Sequence, residues 1–265
     1  MKKILLMFFV FCFSFPTFAK EMIKYTDRQD GVYVFEINTK KYGNKIKPVM
    51  TKKVMTPKKL YEDNCYELVV NGGFFDVKNG KSVSYVTIDG DVVSDVMDNV
   101  QLISSLKKQN RLEKVLSRSE FRVLENKRGK LKFDIAYHTD DIKKGYHIKH
   151  SLQAGPMINP TMDLVNEGFV VYEDDIVKSQ SVDILKRRER TAIGLKGKKL
   201  YIVIFSKEHK VDAIEMRTYL TEKLKLKKAM AFDGGLSTAL TSKNFSIGSM
   251  GKHQRCVKSF LVIER

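Results

Sequence analysis

Two short apolar runs, each ending in a polar residue and a glycine pair, constrain this chain more than any other feature. Glu67 to Phe75 reads ELVVNGGFF and runs into Asp76, while Ala229 to Leu240 reads AMAFDGGLSTAL. A short apolar run bounded by turn residues suits one buried strand. Glycine reaches backbone conformations closed to other residues and lets neighbouring backbone or a ligand come close. Each run can therefore present its polar end at a sheet edge: Asn71, Gly72 and Gly73 in the first, Asp233, Gly234 and Gly235 in the second, with Ser237 and Thr238 just beyond. Taken singly, each is also an ordinary bulge or turn. Together they point to a cleft lined by both.

The intervening sequence is rich in strands. Gly31 to Asn38 alternates and is β-branched, and Lys45 to Lys53 is a plausible partner for it. Pro57 to Asp63 can open a short helix under a Thr56 cap. Ser82 to Val96 reads as a hairpin about Asp89-Gly90-Asp91. Apolar spacing from Leu102 to Leu116 is helical but interrupted at Asn110. Phe121–Leu124 and Leu131–Tyr137 flank another hairpin turn, and a polar loop then runs from Asp140 to near His150. Ser151 to Ile158 is a strand bent at Gly155-Pro156, since proline cannot donate to a central ladder; Gln153 is its polar member. Thr191–Leu195 and Leu200–Phe205 form a further hairpin, with Arg190 at its entry. The strongest helix covers Val211 to Leu226, with Val211, Ile214, Tyr219, Leu220 and Leu224 near one face, acids early and lysines late, as the helix dipole favours. Val257 to Ile263 supplies a last strand. The pattern predicts a single α+β domain of mixed sheets, its one strong helix leading into the Asp233 strand.

Met1 to Ala19 has the build of an export signal: Lys2 and Lys3, an apolar run from Ile4 to Phe15, then Pro16 to Ala19 as a cleavage region. Residues 20–265 form the mature domain, expected to be periplasmic or secreted, with no later run apolar enough to span a bilayer. A net charge of +17 favours anionic partners such as glycan phosphates or anionic lipid surfaces. The compact basic and aromatic signature of a nucleic-acid module is missing, which argues against that partner. Past the signal two cysteines remain, Cys65 and Cys256, and an oxidising compartment permits a bond between them. His147 and His150 have a ligand-like spacing, but in a lysine-rich loop; no metal and no cofactor are expected.

The motifs NGGFFD (71–76), IDGDVV (88–93), LQAGPMI (152–158), RTAIG (190–194) and FDGGLSTAL (232–240) follow one another in this order. The series resembles the phosphodiester glycosidase family over most of the chain from Asn71 onward. In one place it departs from the family: Leu236 stands where a third glycine is usual, and leucine resists positive φ. The resemblance implies a hydrolase that cleaves between a sugar anomeric carbon and a phosphodiester oxygen, acting on an envelope or extracellular glycan. Within that chemistry, glycosidases use carboxylates at the oxocarbenium-like centre, which nominates Asp76 and Asp233. A cation must hold the phosphate, which nominates Arg190. Asn71, Gly72, Gly73, Gln153, Gly234, Gly235, Ser237 and Thr238 are then candidates to bind sugar hydroxyls or phosphate oxygens. The competing reading is a non-catalytic envelope protein whose cleft binds phosphorylated or other anionic glycans.

Overall fold

The computed structural model describes residues 22–27, 31–173, 176–179, 184–249 and 253–265. The export signal expected over residues 1–19 lies outside the described residues. The fold is α+β, with three antiparallel sheets of five or six strands and a small two-stranded ribbon. The six-stranded sheet runs, from edge to edge, Ile23–Asp27, Val32–Asn38, Lys199–Phe205, Arg190–Lys196, Lys228–Ala231 and Met157–Asn159. A five-stranded sheet has the order Ser246–Gly248, Ala239–Ser242, Tyr66–Asn71, Val257–Glu264 and Ile46–Met55. The other orders Asp91–Ser94, Val86–Ile88, Tyr146–Gln153, Ser119–Asn126 and Leu131–Tyr137.

Both glycine-ended strands form as expected, but in different sheets: Tyr66–Asn71 lies in the first five-stranded sheet and Lys228–Ala231 in the six-stranded one. One apolar core joins all three sheets, with Phe35 and Ile202, Val70 and Leu261, and Phe121 and Leu152 from the respective sheets all buried in it. Burying each such side chain contributes roughly 2 kcal/mol, so the core fixes how the sheets sit against one another. The chain ends that matter leave the sheets where the three converge. The Gly155 N–H donates to the Ala231 carbonyl, and the Asp233 N–H donates to the Gly72 carbonyl. The sheets are thus hydrogen-bonded to one another at the mouth of that junction.

Several local readings hold in detail. The Thr56 hydroxyl accepts from Lys59 N at 3.0 Å and caps the helix Pro57–Asp63. The Asp89-Gly90 turn has φ of 53° and 91°, the positive pair that a tight hairpin needs. Asn110, at φ 52°, divides the second helical stretch into Val100–Lys108 and Leu112–Leu116.

Other readings are corrected. Ile46–Met55 pairs with Val257–Glu264, not with Val32–Asn38, because the short helical connection Thr39–Lys45 carries the chain into another sheet. The loop after Asp140 ends earlier than expected, since the strand Tyr146–Gln153 already includes His147 and His150. A bulge at Lys149 interrupts the strand between them, with His147 opposite Glu125 and exposed and His150 opposite Val123 and buried. The helix over Val211 to Leu226 is shorter, with α-helix from Ala213 to Thr218 and a π-helical turn from Tyr219 to Lys223. Asp212 caps it reciprocally with Glu215, and this cap sets which face is buried. Ala213, Met216 and Leu220 pack inward while Ile214 is exposed. Cys65 and Cys256 are both free and exposed, so the pairing considered between them does not form. Among the described residues no helix is long and apolar enough to cross a membrane, and no group of histidine, cysteine or acidic side chains is assembled for a metal ion.

Candidate active site

A cleft of about 600 Å³ opens at the convergence of the sheets. Asp233 lies in it, partly exposed, one residue beyond the buried Phe232. The backbone of Asp233 is held at both ends. Its N–H donates to the Gly72 carbonyl at 2.9 Å, and its carbonyl accepts from Asn71 Nδ2 at 2.7 Å. The carboxylate accepts hydrogen bonds from the Ser237 hydroxyl and the Gly234 N–H. Desolvation outweighs these bonds and the attraction of Arg255 and Arg118, pushing Asp233 up to about 6. A carboxyl that titrates near neutrality inside a cleft is suited to proton transfer.

The turn after Asp233 accommodates the unusual leucine. The residue that needs positive φ is Gly235, at +58° with open space where a Cβ would be. Leu236 takes an ordinary conformation inside the 3₁₀ turn Gly235–Ser237, and its side chain is 54% exposed on the cleft. Gly234 packs more tightly, since a Cβ there would come within 3.2 Å of the Glu189 carbonyl.

The residues nominated from the first glycine-ended strand serve mainly to build the site. Asn71 is fully buried, and its Oδ1 accepts from the Thr191 hydroxyl and Ala239 N while its Nδ2 holds Asp233. Gly72 and Gly73 are there for close packing. A Cβ on Gly72 would meet the Ser259 backbone at 3.0 Å, and one on Gly73 would sit 2.4 Å from the Gln153 carbonyl. Gln153 is buried and ties Tyr85 N to the carbonyls of Leu116 and its neighbours. Thr238 is buried with no hydrogen-bond partner for its hydroxyl among the described residues.

Asp76 and Arg190 differ from expectation. The Asp76 carboxylate accepts from Lys78 N at 2.9 Å, closing its own turn, and the cleft is lined by Phe74, Phe75 and Val77 on either side of it. Arg190 does reach the cleft wall, but its guanidinium donates to the carbonyls of Val211, Ile184 and Lys186. It clamps the segment that forms this wall.

The structure brings in four charged residues that the sequence reading passed over. Glu189 lines the cleft and pairs with Lys210 at 3.5 Å, while its carbonyl accepts from Gly235 N. Arg255 also lines the cleft, with its guanidinium 5.6 Å from the centre of the Phe75 ring. Arg118 is buried beside Phe169 and Phe74, at 4.2 and 5.1 Å from their ring centres, and burial lowers it to about 10, leaving it a cation at neutral pH. Glu167 lies directly behind Gly155, its Oε2 accepting from Ser119 N and Oγ and its Oε1 from Met157 N at 2.6 Å. Burial raises the Glu167 carboxyl above the ordinary range. Of the four, Glu189 alone had a local signal, as it sits in the charged RRER run that enters the RTAIG motif.

An antiparallel three-sheet frame thus sets an Asp-Gly-Gly turn in a basic, aromatic-lined cleft. The chain matches the phosphodiester glycosidase family over residues 64–264 and belongs to that family. Its fold is similar to the catalytic domain of zebrafish N-acetylglucosamine-1-phosphodiester alpha-N-acetylglucosaminidase, a structure auto-inhibited by its pro-peptide. That likeness has a TM-score of 0.62 at 13% identity, over 92% of this chain and 81% of the other. A hypothetical protein from Synechocystis is similar at TM-score 0.59 and 12% identity, over 92% of this chain and 61% of that one. An exported-protein candidate from Burkholderia pseudomallei gives 0.55 and 12%, over 88% and 74%. A sequence search of curated proteins finds no match at a significant level.

Proposed function

We propose that this protein is an exported phosphodiester glycosidase that hydrolyses the bond between a sugar anomeric carbon and a phosphodiester oxygen. The observation that carries the reading is Asp233: a carboxyl with raised proton affinity, held rigidly on a family motif and facing a cleft that also contains a guanidinium. In the reaction the bond from C1 to the phosphate oxygen breaks, water supplies the oxygen that bonds to C1, and the phosphate departs as a monoester. Such a leaving group is stable as an anion, so binding it matters more than protonating it. Arg255 is placed to hold that phosphate, in the role first given to Arg190, and Arg118 adds positive potential from behind the aromatic wall. Asp233 transfers the proton, and Glu189 is the second carboxylate of the cleft, available to stabilise positive charge at C1. These assignments replace Asp76 by Glu189. Asn71, Gly72, Gly73 and Gln153 keep the cleft in shape, and Ser237 holds the acid.

The test is release of free sugar from UDP-N-acetylglucosamine and other sugar 1-phosphodiesters by the purified protein. Wild type should release sugar, and Asp233→Asn should lose at least a hundredfold in kcat. Binding of these compounds without turnover by the wild-type protein would replace the hydrolase with a glycan-binding protein.

A further inference from the structure

We infer that the group on the far side of the phosphate is an aliphatic chain, so that the substrate class is a glycosyl phospholipid. This rests on the reading above and extends it to the leaving group. The argument starts at Arg255. Its guanidinium packs on the Phe75 ring and lies close enough to Asp233 to lower that carboxyl's proton affinity. A phosphate held there lies in the same cleft as Asp233. Phe75, against which Arg255 packs, lines the same cleft as Val77 and Leu236.

Val77 is 64% exposed and Leu236 54% exposed, although both belong to a cleft that also contains Phe74, Phe169 and Phe232. A single exposed aliphatic residue is ordinary, but exposed apolar groups gathered at a ligand cleft mark a surface that is covered in use. A second sugar or a nucleoside would need hydrogen-bonding partners there to be distinguished from water. The side chains of Phe75, Val77 and Leu236 offer none, while an alkyl chain gains by displacing water from all three. The strong positive charge of the protein also concentrates it at anionic lipid interfaces, where such substrates reside.

The experiment measures binding calorimetrically with three probes kept below micelle-forming concentrations: ethyl phosphate, decyl phosphate and decyl glucoside. Decyl phosphate should bind at least tenfold tighter than ethyl phosphate and tighter than decyl glucoside. Leu236→Ser, at an exposed position that the fold does not need, should reduce that preference by about tenfold. Equal affinity for the two phosphates, equally tight binding of decyl glucoside, or an unchanged preference in Leu236→Ser would each overturn the inference. Turnover is scored separately: sugar release without chain preference removes only the lipid assignment. Chain preference in a protein that cleaves no sugar phosphodiester removes the hydrolase reading and leaves the apolar subsite standing.

Discussion

Asn71 Nδ2 donates to the main-chain carbonyl of Asp233 at 2.7 Å, so the polar end of one glycine-ended strand holds the polar end of the other. The same side chain accepts from Thr191 and Ala239. Three pieces of chain, the Asn71 strand, the Thr191 strand and the stretch from Asp233 to Ala239, therefore meet at one buried amide. Asn71→Asp places a carboxylate oxygen against the Asp233 carbonyl and should cost roughly 3 kcal/mol of stability. Urea unfolding reads this directly, and sugar release should fall even under conditions where the variant is fully folded.

Asp233 ties stability to pH. Its proton affinity is raised by folding, from the ordinary 3.8 to about 6. The folded state therefore favours the neutral acid, and stability is lost as pH rises from about 4 through about 6. A difference of about 2 units corresponds to a penalty on the order of 3 kcal/mol at neutral pH. Asp233→Asn should melt above wild type at pH 7.5 and converge with it near pH 4. A melting temperature for the variant that stays below wild type across this range would show that the carboxylate is not disfavoured by burial.

Arg255 lowers the proton affinity of Asp233, so removing its charge should act on two quantities at once. In Arg255→Gln the pH midpoint of kcat/KM that reports Asp233 should move upward, and KM for a phosphodiester should rise by about tenfold or more. A change in KM with an unmoved pH midpoint would place Arg255 too far from the carboxyl to act on it.

Glu167 tests the wall behind Gly155. One of its oxygens accepts from Ser119 N and Oγ, and the other from Met157 N. In Glu167→Gln the amide NH₂ must face one of those main-chain N–H groups whichever way it is turned. The expected loss is about 2 kcal/mol, measured by chemical unfolding, with little change in KM because this side chain lies behind the wall.

The elements were legible where the signal is local. Alternation, turn glycines and caps show in a few consecutive residues, which is why the hairpin about Asp89-Gly90 and the helix capped by Thr56 form as expected. Asp233 and its glycine pair were legible for the same reason. Asp76 has a second use that its sequence context also allows: an acid followed by a turn can close that turn, and its Oδ1 accepts from Lys78 N. Arg190 and Gln153 stood out as polar residues beside apolar runs, yet that situation equally suits a side chain that binds loop carbonyls. Arg118, Glu167 and Arg255 carry no local pattern. Their importance comes from partners far away in the chain, such as Glu167 against Ser119 and Met157, and these appear only once the sheets have packed.

In the cleft wall from Ile184 to Glu189, the Arg190 guanidinium clasps the main-chain carbonyls of Ile184 and Lys186. A clasp made to backbone is indifferent to which side chains the wall displays. Its surface residues other than Glu189 can be exchanged while the Asp233 backbone stays held by Asn71 and Gly72 on another sheet. The clasp on this wall and the backbone hold on Asp233 therefore come from different side chains, and much of the wall can change while the acid stays in place.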